Sequence, residues 1–282
     1  NGVTKLDLSY GAPTVMDIGG LARDTPIRSF AISPTHVWVG TGGLGLLRQD
    51  KVTGAVTEYG PMDGLPGRGI DAIVMDDAEV WVGGVDGLAK YTRATGSWET
   101  FTVEEGFEGV HATALVLTPQ ALWVGTKSKG VFRLDRELMV WETYSPRNSV
   151  VGGNSITSMA ATDTGIIATW YTTIAQGFRR NAQGYSEWND ADQAWTNTPM
   201  GRDDIAPEDI YGAYADGMLW IGTGGSLMRR AADGWGNYVY PIDIRGSRIH
   251  SVTPDGQYVW IGPDAGVARV DTLMFERAPD GQ

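Results

Sequence analysis

The stretch from Val37 to Gly45, VWVGTGGLG, contains a G-x-G-x-x-G triplet at Gly40, Gly42 and Gly45. Glycines at that spacing let a backbone approach a dinucleotide pyrophosphate, but only where a strand turns directly into a helix. His36, His111 and His250 are the three side chains best suited to proton transfer or metal ligation near neutral pH. They fall at unrelated places in the chain, and no H-E-x-x-H, G-x-S-x-G or G-x-x-x-x-G-K-[ST] motif surrounds them. Asp190 and Asp192 have the alternate spacing of a calcium loop, without the glutamate that closes one. Aspartates of this kind ordinarily build a solvated turn. The expectation is no catalytic residue, no metal and no cofactor, with the histidines in structural roles.

Composition narrows the partner classes. The 282 residues carry 34 acidic and 22 basic side chains, a formal net charge of −12. A phosphate backbone is a poor partner for such a chain, which speaks against nucleic acid. Cysteine is absent, which removes disulfides and thiolate chemistry and suits an oxidising compartment. The longest apolar runs are far too short to span a bilayer. Residue 1 is Asn rather than Met, which reads as processing or trimming and leaves room for an upstream signal or anchor.

The elements that position these residues come from a repeat. WVGT at Trp38 returns as WVGG at Trp81, WVGT at Trp123, WIGT at Trp220 and WIGP at Trp260, with a degenerate IIAT at Ile166. Each is followed by a turn, a short strand such as GLLRQD or GVFRLD, and another strand opening near Val56, Trp98, Trp141, Trp195, Trp235 or Phe275. From each of the first five openings to the next WVGT-like start the interval is 25 residues, as from Val56 to Trp81. A unit of four short strands (A, B, C and D) over roughly 40–45 residues is the period of a β-propeller blade. The glycines at Gly40 to Gly45 then end strand B and turn into strand C with no helix behind them, which removes the nucleotide reading. The four tryptophans Trp81, Trp123, Trp220 and Trp260 are expected in the core at one equivalent position.

The WVGT…GL motif and the linker DGLPGRGIDAIVMDDAEVWVGG resemble the two-component regulator propeller repeat of bacterial sensor ectodomains. The resemblance covers nearly the whole chain and is weakest in the fourth unit, where Ile166 replaces the tryptophan. It implies a bacterial, periplasmic or otherwise extracytoplasmic propeller that binds a ligand or partner. The fold expected is all-β, a β-propeller of four-stranded antiparallel blades in one domain over 1–282. Six blades cover 27–59, 70–101, 112–144, 155–198, 209–239 and 248–278, and 1–18 is an N-terminal half blade. Either six blades close, or seven positions exist and the half blade completes the last.

Recognition is expected in the loops. Trp123 to Gly130 spans 7 residues, whereas Ile166 to Gly184 spans 18. The extra residues fall in WYTTIAQGFRRNAQ, 170–183, which holds Trp170, Tyr171, Phe178, Arg179 and Arg180 and no acid. Aromatics beside arginine make protein–protein hot spots, and tryptophan also stacks on sugars. The loop is either a contact surface or a plug folded over the channel. Loops between D and the next A add Arg68, Glu108, Arg147, Asn154, Arg202, Asp203 and Asp204, of which Arg147 and Arg202 join the candidate partner-binding set. The function expected is a non-catalytic recognition or assembly module for a protein partner, with a subunit docked on a larger membrane-associated complex as one form of it. The alternatives are a receptor for an oligosaccharide or small ligand, and a propeller lyase or hydrolase.

Overall fold

The computed structural model describes residues 3–6, 13–16, 18–19, 21, 25–104, 106–108, 111–172, 182–200, 210–223, 227–231, 234–238, 249–263 and 267–271. The chain divides into two compact units, Asn1–Pro119 with Asp135–Trp141, and Gln120–Leu134 with Glu142–Gln282. The fold is all-β: a series of antiparallel propeller blades in which consecutive strands are hydrogen-bonded neighbours. Among the described residues the only helical turn is the 3-10 segment Pro61–Asp63.

In the first unit, β1 (Val3–Leu6) and β2 (Pro13–Met16) pair as a separate hairpin. The first blade is β3 (Ile27–Ile32), β4 (His36–Thr41), β5 (Leu46–Asp50) and β6 (Val56–Tyr59). The second is β7 (Ile70–Met75), β8 (Glu79–Gly84), β9 (Gly87–Thr92) and β10 (Ser97–Phe101). The third blade, β11 (Ala112–Leu117), β12 (Ala121–Thr126), β13 (Val131–Asp135) and β14 (Trp141–Tyr144), contributes strands to both units.

The second unit continues with β15 (Ser155–Thr162), β16 (Gly165–Thr172), β17 (Ala182–Asn189) and β18 (Ala194–Pro199). A fifth blade follows as β19 (Tyr211–Ala215), β20 (Met218–Gly222), β21 (Leu227–Ala231) and β22 (Gly234–Tyr238). The sixth has three described strands, β23 (Ile249–Asp255), β24 (Tyr258–Pro263) and β25 (Ala268–Asp271); the strand expected to open at Phe275 lies outside the described residues.

Each letter of WVGT has a physical task. B strands are buried on both faces, so β4, β8 and β12 read as unbroken apolar runs. D strands such as β6 and β14 have half-buried ends and exposed middle residues. The tryptophans Trp38, Trp81, Trp123 and Trp220 are all about 1% exposed. Trp260 departs from the expectation: it is only half-buried, with Nε1 donating to Asp255 Oδ2 at 3.2 Å. The glycine admits the next blade. A Cβ on Gly40 would stand 2.8 Å from Ile70 Cγ2, one on Gly125 2.6 Å from Ile156 Cγ2, and one on Gly222 2.5 Å from Ile249 Cγ2. The threonine closes the B–C turn: Thr41 Oγ1 accepts from Leu44 N at 2.8 Å and donates to Gly45 O at 2.9 Å. Thr126 repeats both bonds with Lys129 N and Gly130 O. Gly45 has φ 93°, and a Cβ there would meet Tyr59 O at 2.3 Å, so this turn requires glycine for backbone reasons.

The fourth blade is shifted against the 25-residue frame. In the first blade Trp38 faces Ala31 and Gly40 faces Ser29; in the fourth, Ile167 faces Ala160 and Thr169 faces Ser158. The residue at the tryptophan position is therefore Ile167, not Ile166. The glycine position is Thr169, and the position of Thr41 is Trp170.

Candidate functional site

The B–C turns and D–A loops lie at the same ends of the strands within each blade. In the first unit, the loop after β6 buries Leu65 and exposes Met62 completely. Gly60 N donates to Asp63 Oδ2 at 2.8 Å, which fixes the tip. The loop after β10 buries Phe107 against Trp141, with ring centroids 5.2 Å apart, and exposes Val103 and Glu104. Beneath these loops, Asp71 accepts from Arg28 Nη1 at 2.6 Å and contacts His111 Nε2 at 2.8 Å. Arg28, Asp71 and His111 belong to the starts of three successive A strands, which gives His111 a hydrogen-bond partner in Asp71. His36 contacts Thr35 Oγ1 at 2.8 Å, and its pKa is lowered by burial and then by Arg48. His250 stands edge-on to Tyr211, centroids 6.1 Å apart. Within the first unit His36 lies at an A–B turn and His111 at the opposite strand ends, so these two do not converge.

In the second unit, the loop after β14 buries Val151 and exposes Arg147 and Val150. Ser145 N donates to Asn148 Oδ1 at 2.8 Å, so Arg147 sits at the tip of a hydrogen-bonded turn. The fourth blade is where the geometry departs most from its neighbours. Strands β16 and β17 stay paired as far as Thr172↔Ala182, whereas the first blade's counterparts separate after Gly40↔Leu46. The expansion is therefore an extended hairpin whose tip, 173–181, lies outside the described residues.

Trp170 forms the base of that hairpin, and here the expectation is corrected. It is a candidate partner-binding residue in a loop read as either contact surface or plug, but it is 2% exposed, which removes it from a contact surface. A Cβ on Gly152, Gly153 or Gly184 would stand 2.0, 2.8 or 2.7 Å from its ring atoms, so three glycines form the slot that holds the indole. Tyr171, next along the strand, is half-buried. Phe178, Arg179, Arg180 and Arg202 lie outside the described residues, as do Asp203 and Asp204. Arg68 and Glu108 are exposed, and Asn154 is half-buried with its carbonyl accepting from Gly130 N at 2.8 Å.

Asp190 and Asp192 belong to the C–D turn of the fourth blade. Asn189 Oδ1 accepts from Ala191 N at 2.8 Å and Asp192 N at 3.2 Å, and Asp190 Oδ1 accepts from Trp188 Nε1 at 2.9 Å. That is the bonding of a turn. Among the described residues no three His, Asp or Glu side chains cluster as metal ligands, and no helix is long and apolar enough to cross a membrane.

Sequence reasoning missed one recurrent pair, a cation on strand C against the tryptophan on strand B. Arg48, Lys90, Arg133 and Arg269 lie 5.5–5.7 Å from the rings of Trp38, Trp81, Trp123 and Trp260. The signal is a Lys or Arg nine or ten residues after each tryptophan. In the fourth blade both members change, to Ile167 facing Glu187.

The same fold occurs in solved structures. The extracellular domain of the one-component system BT4673 of B. thetaiotaomicron aligns over 92% of this chain and 36% of that one, at 18% identity and TM-score 0.69. PorZ, an essential surface component of the type-IX secretion system of Porphyromonas gingivalis, aligns over 93% and 42%, at 13% identity and TM-score 0.63. YCF48 bound to D1 peptide aligns over 90% and 80%, at 14% identity and TM-score 0.61. The chain thus spans about a third of the BT4673 domain. No family model and no curated protein matches the sequence. At these identities the likeness carries the propeller fold.

Proposed function

We propose that this chain is a non-catalytic propeller module that works outside the cytoplasm and recognises a protein partner through the loops at its B–C and D–A ends. The observation that carries this reading is the β16–β17 hairpin. It extends past the turn used by its neighbours, it stands on an indole locked among three glycines, and it ends in a tip carrying Phe178, Arg179 and Arg180. An ordered base reduces the entropy lost when such a tip meets a partner. Exposed Arg147 adds a third cation, on the loop leading into the same blade. The extracellular setting of the BT4673 domain, the surface setting of PorZ and the peptide on YCF48 are consistent with this role.

The test is to replace 173–181 by a two-residue turn, keeping Trp170 and both strands, and to compare what co-purifies from the native source. A protein held by the natural chain and lost with the short hairpin supports the proposal. A protein held equally by both places the site elsewhere. Hairpin-dependent binding on a glycan array, without a protein, supports the oligosaccharide alternative.

A further inference from the structure

The C–D turn of the third blade, at the opposite strand ends from the loops above, exposes three consecutive apolar residues. Leu138 is 70% exposed, Met139 47% and Val140 55%. The corresponding turns carry Thr53, Gly54 and Ala55 in the first blade, Thr95, Gly96 and Ser97 in the second, and Asp192, Gln193 and Ala194 in the fourth. Met139 has φ 54°, close to the 73° and 68° of Gly54 and Gly96, so a long apolar side chain occupies a conformation that disfavours it.

This turn is also braced. Asp135 Oδ1 accepts from Glu137 N and Leu138 N, both at 3.0 Å. Arg136 donates to Asp76 Oδ2 at 2.7 Å, Glu79 Oε2 at 3.0 Å and Thr118 O at 3.2 Å, gripping the A–B turn of the second blade. Its charge is thereby committed to two carboxylates. The tip and the gripped turn together hold Asp76, Asp77, Glu79, Asp135 and Glu137 against Arg136 and Arg93, whose main chain donates to Ala78 O at 2.9 Å, and Asp77 and Glu137 are exposed. A braced apolar tip in surroundings where acids outnumber cations is complementary to an apolar pocket with a basic rim.

We propose that Leu138, Met139 and Val140 form a docking tip for a protein partner whose apolar pocket is rimmed by lysine or arginine. Pre-bracing lowers the ordering cost of insertion, and the acids select the rim. The proposal stands apart from the hairpin of the fourth blade, and either can fail alone.

A randomised peptide library displayed on phage and panned on the folded chain provides the probe. The expected result is enrichment of peptides that combine large apolar residues with Lys or Arg. They should bind the Leu138→Ser/Val140→Ser chain at least about tenfold more weakly, a difference of about 1.4 kcal/mol. Should that variant not fold, Met139→Gly, which suits the backbone there, removes the central side chain and should weaken the same peptides. Absence of enriched peptides, acidic enriched peptides, or binding indifferent to both variants overturns the proposal. Tip-dependent sedimentation with phosphatidylcholine vesicles, or tip-dependent self-association in ultracentrifugation, replaces the partner with a membrane or a second copy and overturns it equally.

Discussion

Lys90 Nζ stands 5.5 Å from the centroid of the Trp81 ring and 2.7 Å from Glu99 Oε2, joining strands B, C and D of the second blade. Arg133 does the same between Trp123, at 5.6 Å, and Glu142, at 2.9 Å. The indole is packed inside while the cation covers it and meets an acid at the rim. Trp123→Ala removes a buried indole that also touches Tyr144, Trp188 and Trp195. Its expected cost is about 3–5 kcal/mol by denaturant unfolding. Arg133→Met, which keeps much of the aliphatic stem, should cost about 1 kcal/mol or less. A loss below about 1 kcal/mol for Trp123→Ala contradicts the packing.

In the fourth blade Glu187 faces Ile167 and turns to the fifth, where Arg230 meets both of its carboxylate oxygens and also donates to Tyr185 Oη at 2.9 Å. The pKa of Arg230 is raised, first by its hydrogen bond to Glu187. Glu187→Gln should cost about 1–3 kcal/mol, and Glu187→Lys more, since it sets two cations together. Equal stability of the Lys variant in urea titration would show that this pair contributes nothing.

Gly152 supports Trp170 by lacking a side chain. Gly152→Ala places a methyl 2.0 Å from Trp170 Cζ2 and should destabilise the chain by about 1–3 kcal/mol. Trp170→Phe removes that ring atom, so the double variant should recover part of the loss. A double-mutant cycle with coupling below about 0.5 kcal/mol counts against the slot.

The Tyr144 hydroxyl is pushed up to about 12, first by burial and then by its hydrogen bond to Glu142. An unfolded tyrosine ionises near 10. The unfolded chain therefore loses this proton first as pH rises. The contribution to stability is complete below about pH 10 and is lost as pH climbs toward about 12. Tyr144→Phe should show a shallower alkaline decline in unfolding free energy. Some decline should persist because Tyr59 is also pushed up to about 12, chiefly by burial.

The propeller fold and the strand order within a blade are legible because the B strand is spelled by burial on both faces, and Gly40 and Thr41 are fixed by the next blade and the turn. The fourth blade was misread by one residue for a specific reason. The loop from Tyr144 to Ile156 is one residue longer than those from Tyr59 to Ile70 and Phe101 to Ala112. The letters IIAT fit either register, and hydroxyl contacts of Thr169 with Thr157 and Ser158, each 2.7 Å, replace the glycine contact. Trp170 looked exposed because an aromatic beside an expanded loop reads as surface. The slot was visible only in Gly152, Gly153 and Gly184, two of them distant in sequence from the loop.

The Gly40–Ile70 fit is a head-to-tail joint, repeated at Gly125–Ile156 and Gly222–Ile249: one blade carries the recess and the next carries the knob. A tandem duplication of one such unit brings both halves with it, so a copied blade is compatible with its parent from the moment it arises. The joint after the fourth blade differs. Thr169 fills the recess, and Gly212 carries the relief instead, its missing Cβ falling 2.8 Å from Thr169 Cγ2. Recess and knob have exchanged sides there, so this junction is keyed. A copy of the fourth blade set before an ordinary blade would press Thr169 where a glycine belongs, so the fourth and fifth blades are matched to each other.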